Sequence, residues 1–335
     1  MIAPAEPTTI HRLDGLEPDN LLAFLALLGL LRALEAVDRA GGAAELRPRA
    51  AWDVERPPLR PVLHLARPLT QTEVAEAAAA GVATLASAHE FDGRADLDHP
   101  RDVARGLLEA AAASPEGRER ADLLAALMSD AAVKDAKDPA TAPVDPTPLC
   151  LLFGQGHQHF LDRLASVPRT AAPPPRGRGK AAVTLSAADC LNEALFKPWH
   201  RDDPTFAFRW DPAEDVRYAL LAGDPTDPAY KAGTQHGANR LAAVGIAALT
   251  LAPEPRAGRV RPTILGGMSD ERGFSFAWPV WRAPATLAAI RALLGHPGLR
   301  RPDALAHLGV DHVLVARRIS VGKFMNFTRA RAEEG

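Results

Sequence analysis

The sequence predicts an α+β fold that is helix-rich, with short mixed or antiparallel sheets packed against a buried N-terminal helix. Hydrophobic residues make up 47% of the 335 residues, and much of that share is Ala and Leu, which favours helices. Thirty prolines divide the chain into short elements, because each proline fixes φ and removes a backbone donor. A strand, an apolar helix and two short strands open the chain in that order, which is typical of α+β proteins.

The first elements are a strand and an apolar helix. Residues from Thr8 to Leu13 alternate and include β-branched side chains, which predicts a strand. Asp19 or Asn20 can cap a helix from residue 21 to about residue 39. This helix is apolar on nearly all sides for three turns, so we expect it inside the fold. Gly29 within it predicts a close contact between the helix and a sheet.

Capping residues and periodicity predict the later elements. Thr70 or Thr72 can cap a helix that reaches residue 87, and Ser186 can cap a helix that reaches residue 195. The alternation through Phe206, Phe208 and Trp210 predicts a strand with one aromatic face. Further strands are predicted at 50–54, 61–66, 149–153, 263–265, 274–278 and 312–321, and further helices at 101–113, 115–128, 214–221, 241–249, 285–294 and 303–308, with another helix ending near 167.

A segment rich in Pro, Gly and Arg divides the chain. Residues 168–180 hold four prolines, two glycines and four basic residues, which is typical of a linker. The sequence therefore predicts an N-terminal α+β region at 1–167, a linker at 168–181 and a C-terminal α+β region with a basic end at 182–335, and the two regions can still pack as one unit. Arg176 and Arg178 in the linker are either solvated or in contact with phosphates.

Composition excludes several classes of protein. Cys150 and Cys190 are too few for a disulfide framework or a cysteine-based metal site, and they fit a reducing cytoplasm. The N-terminus lacks the pattern of a signal peptide. The longest apolar run, residues 21–31, is far shorter than the roughly 20 residues that cross a bilayer. We therefore expect a cytoplasmic protein without a membrane segment.

Charge is distributed unevenly along the chain. The net charge is −2, but residues 1–255 carry 26 Lys and Arg against 35 Asp and Glu, whereas residues 256–335 carry 13 against 6. A basic end on an acidic body indicates a surface for a polyanion, or a surface that docks on the protein's own acidic part. Scattered, solvated arginines are the alternative interpretation.

Arginines among aromatic residues are the candidate nucleic-acid contacts. The planar guanidinium group of arginine presents N–H donors that match phosphate oxygens, and aromatic side chains can stack on bases. The same residues can instead form a hydrophobic core with ion pairs at its rim. Asn239 and Arg240 precede the apolar helix at 241–249, where free N–H groups favour an anion. The candidate nucleic-acid-binding residues are Arg176, Arg178, Arg201, Arg209, Arg217, Asn239, Arg240, Arg317, Arg318 and Lys323.

Histidines and carboxylates between residues 89 and 99 form a weaker pattern. Metal-dependent nucleases use such groups, because hard cations prefer oxygen ligands. The sequence has no HExxH motif, and a polar loop that caps helices is the favoured interpretation. We assign no catalytic residue, cofactor or metal site, and keep a nuclease as an alternative that would use His89, Asp92, Asp96, Asp98 or His99.

Several stretches together resemble proteins from type I-G (formerly I-U) CRISPR–Cas loci. They are similar to the large-subunit-like proteins of that subtype and to the family described as an extension of its helicase-nuclease. The stretches are Leu13-Asp14-Gly15-Leu16 with residues 22–32, Arg209-Trp210-Asp211-Pro212, Arg217-Tyr218-Ala219-Leu220 with Asp224-Pro225, residues 237–242, Pro279-Val280-Trp281, and residues 317–327.

The resemblance implies a part of an RNA-guided DNA surveillance complex. Such a subunit would bind crRNA, target DNA or the helicase-nuclease and would cut nothing, since base pairing reads the sequence while protein holds the backbones. This chain is much shorter than a full large subunit, which favours an accessory or bridging part. A protein–protein adaptor without direct nucleic-acid contact and the metal-dependent nuclease are the alternatives.

Overall fold

Helices and antiparallel strands in the computed structural model confirm the predicted α+β class. The structure describes residues 6–42, 44–114, 117–134, 138, 141–151, 159–173, 175–176, 180, 182–203, 207–214, 233–256, 258–321 and 324–333.

Most of the helices and strands are short, and the longest described helix and strand have 20 and 12 residues. The helices are α1 (Leu21–Ala40), α2 (Gln71–Ala86), α3 (Arg101–Ala112), α4 (Arg118–Leu127), α5 (Phe160–Ser166), α6 (Ala187–Phe196), α7 (His236–Gly245) and α8 (Leu287–Leu294), with 3-10 turns at Ile246–Ala248 and Ala306–Leu308. The strands are β1 (Thr8–Arg12), β2 (Arg49–Trp52), β3 (Pro61–Leu69), β4 (Leu251–Arg256), β5 (Arg259–Ile264), β6 (Gly267–Asp270), β7 (Gly273–Trp281), β8 (Val310–Val321), β9 (Phe324–Phe327) and β10 (Arg331–Ala332).

Helix α1 lies at the centre of the core, as its apolar sequence predicts. Fifteen of its twenty residues are buried. Asn20 caps it, because its side chain accepts hydrogen bonds from the backbone N–H groups of Leu22 and Ala23 at 2.9 and 3.4 Å. No helix in the described ranges, α1 included, has the length and apolar character needed to cross a membrane.

Glycines let two other helices approach α1 at backbone distance. A Cβ atom added at Gly29 would lie 1.8 Å from the carbonyl oxygen of Leu241 in α7, and one added at Gly245 would lie 2.3 Å from that of Leu25. On α2, a Cβ at Gly81 would lie 2.0 Å from the carbonyl oxygen of Ala33. The predicted contact of Gly29 with a sheet is therefore wrong, since its partner is a helix.

The strands form antiparallel sheets beside this helical core. One sheet has the order β1-β3-β2, another has the order β10-β8-β7-β6 with β9 paired to β8, and β4 and β5 form a separate hairpin. Phe24 of α1 stacks on Trp278 of β7, with ring centroids 5.2 Å apart. The indole N–H of Trp281 donates to the carbonyl oxygen of Ala50 at 2.7 Å, which ties the two larger sheets together.

Several sequence predictions are wrong in detail. Residues 149–151 and 207–210 form turns and irregular chain and are not strands. The helix that ends near residue 167 is only seven residues long, and the helix predicted at 303–308 is a single 3-10 turn. Strands β4, β6, β9 and β10 were not predicted. The remaining parts of the predicted elements at 149–153, 205–210 and 214–221 include residues outside the described ranges.

Buried apolar residues from both sides of the predicted linker belong to one contiguous core. The described residues of that linker are also bonded to their surroundings. Arg240 donates to the carbonyl oxygens of Pro168 and Ala171, each at 3.1 Å, and the backbone of Arg176 pairs with that of Val183. The division into two regions stays a prediction.

The contact between α1 and α7 can be tested by two glycine substitutions. Gly29→Ala is expected to lower the free energy of unfolding by about 3 kcal/mol, because the added methyl group overlaps the Leu241 backbone. Gly106→Ala, in exposed helix α3 with no atom within 4 Å of its added Cβ, is expected to raise it by about 1 kcal/mol. Urea unfolding followed by circular dichroism measures both, and equal effects of the two substitutions would contradict the prediction.

Candidate nucleic-acid interface

Most of the described candidate arginines lie in or beside a group of internal polar side chains, which we call the polar cluster. It draws on the α1 cap, helix α6, the chain before α7 and the first turns of α7. Its members are Asn20, Arg176, Glu193, Arg201, Asp203, Asp211, Glu214, Thr234 and Asn239.

Arg201 is held by an internal carboxylate. Its Nε and Nη2 atoms donate to the carboxylate of Asp211 at 2.6 and 3.3 Å, and Asp211 is completely buried. Asp211 also accepts from the Asn20 amide at 3.0 Å, which connects this ion pair to the N-terminal cap of α1. Two parallel N–H···O bonds to a desolvated carboxylate make a strong, oriented pair. The guanidinium group of Arg201 therefore has a structural partner.

Arg176 has two internal partners. It donates to Asp203 at 2.7 Å and to Glu193 at 2.9 Å. The fully buried Asp203 also accepts from the backbone N–H of His236 at 3.0 Å, at the start of α7. A helix N-terminus favours an anion, and here that anion is the protein's own aspartate.

Asn239 and Arg240 do not lie at the start of their helix, as the sequence analysis expected. Helix α7 begins at His236, and the backbone N–H of Asn239 already donates to the carbonyl oxygen of Gln235 at 3.1 Å. The Asn239 amide donates to the Thr234 hydroxyl at 2.7 Å. Arg240 is 2% exposed and donates to two backbone carbonyls, and burial lowers its pKa. Both side chains lie inside the protein.

Arg209 and Arg201 share an unusual backbone conformation. Their φ angles are +64° and +58°, in the left-handed region that few residues other than glycine adopt. Both arginines are half-buried, and their positive charges partly oppose the rise in the pKa of nearby Glu214 that burial causes. Arg178, Arg217 and Lys323 lie outside the described residues.

Glu214 is a buried acid whose proton is held tightly. Burial raises its pKa to about 8, and the negative charge of Asp211 adds to this shift. The Thr234 hydroxyl donates to Glu214 and accepts from the Asn239 amide, so the carboxyl group is joined to α7. Glu214 is therefore largely protonated at neutral pH.

The histidines and carboxylates between residues 89 and 99 are spread apart by their own partners. His89 is buried with its Nδ1 atom 2.9 Å from the carbonyl oxygen of Leu164, and burial lowers its pKa to about 3. Asp98 pairs with Arg94 at 3.3 Å. In the part of the chain that the structure describes, no three His, Cys, Asp or Glu side chains are grouped to hold a metal ion.

A different surface collects arginines around an open space, and we call it the arginine groove. It lies between the β4–β5 hairpin, the β6–β7 end of the large sheet and the chain at 145–148, and its volume is about 740 Å³. It is lined by Asp145, Pro146, Pro148, Glu254, Arg256, Arg259, Arg261, Pro262, Ser269, Asp270, Gly273, Phe274 and Arg318.

The hairpin register places its charges on one face. Arg256 is opposite Arg259, and Glu254 is opposite Arg261. Because side chains alternate along each strand, residues two apart on a strand and residues opposite each other share a face. Three arginines and one glutamate therefore point to the same side of the hairpin.

Several charged groups in and beside the groove have partners within the described chain. Arg261 pairs with Asp145 at 3.2 Å, and Arg317, at the edge of the groove, pairs with Asp270 at 3.5 Å. Arg318 donates to the carbonyl oxygen of Pro148 at 3.1 Å, and its guanidinium carbon lies 5.5 Å from the centre of the Phe274 ring.

Of the sequence-predicted candidates that the structure describes, only Arg317 and Arg318 lie at the groove. Arg256, Arg259 and Arg261 were not among the predicted candidates. The available signal was the excess of basic residues beyond residue 255.

No protein-family model, curated protein or solved structure matches the chain. The function must therefore be argued from the two polar sites and from the resemblance of the sequence.

The raised pKa of Glu214 predicts the pH dependence of stability. A folded pKa of about 8, above the unfolded value of 4.5, means that the folded state binds more protons between these pH values, so stability falls as pH rises through that window. The loss is on the order of 1 kcal/mol per pH unit. Glu214→Gln keeps an acceptor for Thr234 and cannot ionise, so its stability is expected to change less between pH 5 and pH 8.

Thermal unfolding of both proteins at half-unit pH steps measures the difference. Glu271→Gln, at an exposed turn, is the matched control and is expected to follow the wild-type profile. Parallel profiles for wild type and Glu214→Gln would contradict an ionisation of Glu214 in this range.

Proposed function

We propose that the chain is a non-catalytic subunit of a type I-G CRISPR RNA-guided antiviral effector system and that it binds nucleic acid through the arginine groove. The observation that supports this most is the grouping of Arg256, Arg259, Arg261 and Arg318 around one open groove. The resemblance supplies the setting, in which the partners are crRNA or target DNA and other CRISPR-associated subunits, including the helicase-nuclease. We expect the protein to work in the cytoplasm.

Electrostatics favours phosphate as the ligand of this groove. Arg presents a planar fork of N–H donors that matches phosphate oxygens. Four arginines face three carboxylates in the groove lining, and two of those carboxylates, Asp145 and Asp270, already have arginine partners. Within the described chain, Arg256 makes no ion pair or side-chain hydrogen bond, so its charge is available to a ligand.

The arginines of the polar cluster are poor contacts by comparison. Arg176 and Arg201 are bound to carboxylates that are completely buried. Removing either arginine from its carboxylate would leave a buried charge without a partner, at a cost of about 3–5 kcal/mol. We therefore propose that these residues stabilise the chain around α7, and that ligand contact lies at the hairpin.

Charge reversal in the groove tests the proposed function. Arg256→Glu with Arg259→Glu is expected to weaken nucleic-acid binding at least tenfold at moderate salt. Each lost phosphate contact lowers the slope of log affinity against log salt by about 0.7 for single strands and about 0.9 for duplex. Fluorescence anisotropy with labelled RNA and DNA between 50 and 200 mM salt measures both quantities.

Arg56→Glu with Arg118→Glu supplies the matched control, because it changes the net charge by the same amount as the double groove variant. Arg56 and Arg118 are exposed and do not line the groove. A groove variant with wild-type affinity and salt slope, or a control that loses as much binding as the groove variant, would count against the proposal.

The mixture of charges in the groove favours one second candidate function, a protein–protein adaptor. Alternating arginines and carboxylates suit a partner protein that presents the complementary pattern. Co-purification with the helicase-nuclease after nuclease treatment, lost in the double groove variant, would support the adaptor. Retention of the enzyme only while nucleic acid is intact would support nucleic-acid binding.

A further inference from the structure

The arginine groove carries carboxylates among its arginines, and this mixture identifies the class of nucleic acid that it would accept. We propose that the groove binds an unpaired strand, with Arg256 on a backbone phosphate and Glu254 on the amino group of a base. The inference rests on the proposed function and adds the state of the strand and a base preference to it.

Glu254 and Arg256 are the charged groove residues whose side chains are available to a ligand. They lie two residues apart on β4 and share a face, about 7 Å apart along the strand. In the described chain neither makes an ion pair or a side-chain hydrogen bond, whereas Arg261 and Asp270 have partners. A ligand that satisfies both must offer an anion and a hydrogen-bond donor side by side.

The size of the groove excludes a duplex from its interior. Its volume of about 740 Å³ is too small to enclose a duplex, whose major groove alone is about 12 Å wide. A duplex would instead rest on the rim and present a dense row of phosphates, about one charge per 1.7 Å of axis. The exposed carboxylate of Glu254 would repel that row.

An unpaired strand matches each kind of surface in the groove. Its phosphates suit the arginines, and its exposed base faces suit apolar surface. Pro146, Pro148 and Pro262 supply that apolar surface between the charged residues. Its unpaired Watson–Crick edges carry amino groups, which a duplex engages in base pairs.

The carboxylate predicts which bases bind. A glutamate oxygen accepts a hydrogen bond from the amino group of cytosine, and adenine also carries an amino group, whereas thymine and uracil carry no amino group and offer only one ring N–H. We therefore expect single strands of cytosine or adenine to bind more tightly than strands of thymine or uracil. A preference of about tenfold is the scale of one good base contact.

Substitution of Glu254 separates an acceptor from a carboxylate that merely repels phosphate. If Glu254 only repels, Glu254→Met strengthens the binding of every oligonucleotide by the same factor, and base preference stays unchanged. If it accepts from base amino groups, loss of the carboxylate acceptor strengthens thymine strands more than cytosine strands, and the preference falls toward one. Glu271→Met is the control, because Glu271 is exposed and does not line the groove.

The test is fluorescence anisotropy at neutral pH with oligonucleotides of about ten residues. The probes are cytosine, adenine and thymine DNA strands, cytosine and uracil RNA strands, and a DNA duplex. Wild type is expected to bind the cytosine and adenine strands about tenfold more tightly than the thymine strand, and to bind the duplex more weakly than the cytosine and adenine strands. In Glu254→Met the cytosine-to-thymine ratio should fall below about twofold, while Glu271→Met keeps the wild-type ratio. The DNA and RNA arms separate the two sources of an unpaired strand.

Two outcomes would overturn the inference and leave nucleic-acid binding standing. One is a duplex bound as tightly as the cytosine strand and weakened equally by the Arg256 and Arg259 reversals. The other is a base preference that is absent in wild type or unchanged by Glu254→Met. If wild type binds none of the probes, the proposed function itself is overturned.

Discussion

The contact of α1 with α7 at backbone distance is the constraint on which the rest of the molecule depends. Gly29 and Gly245 remove the side chains that would separate the two helices, so that their backbones touch at Leu241 and Leu25. Close packing of this kind tolerates little added volume. It fixes the axis of α7 against a helix that is itself almost entirely buried.

Both polar sites follow from the position of α7. Its first turn carries Asn239 into the polar cluster, and its last turn continues through the 3-10 turn into β4, which carries Glu254 and Arg256 to the groove. The N-terminus of α1 joins the same arrangement, since the Leu22 N–H donates to the carbonyl oxygen of Trp210 at 3.2 Å and the Asn20 amide donates to Asp211. Unsatisfied N–H groups at a helix start need such partners.

Local signals in the sequence were sufficient to predict the helices that begin at an N-cap side chain. Asn20, Thr70 and Ser186 each accept from the first turn of the helix that follows, and all three helices lie where the sequence predicts them. The start of α7 could not be found in this way. The backbone N–H of its first residue donates to Asp203, which lies 33 residues earlier in the chain. No local capping side chain therefore marks the start of this helix in the sequence.

The hairpin was missed for a related reason. Pro253 and Pro255 lie in β4 and break the usual pattern of a strand, but a two-stranded hairpin leaves one side of each strand unpaired, where a missing N–H costs nothing. The partners of the arginines were equally hidden. Arg201 has its aspartate ten residues away, within reach of inspection, whereas Arg176 reaches Asp203 from a predicted linker.

What separates an interface from a scaffold in this molecule is how easily an arginine can exchange its partner. Arg176 and Arg201 bind carboxylates with no exposure to solvent. Moving either arginine to a ligand would leave a buried carboxylate without its ion-pair partner. In the groove, Arg261 and Arg317 are 43% and 40% exposed, and pairs of that kind contribute only about 0–1 kcal/mol. A phosphate can therefore displace Asp145 or Asp270 at little cost, whereas no ligand can displace the buried aspartates of the polar cluster. Asp145 and Asp270 are 22% and 33% exposed. The proposal of ligand contact at the hairpin therefore rests on the exposure of these carboxylates and not on the presence of arginines alone.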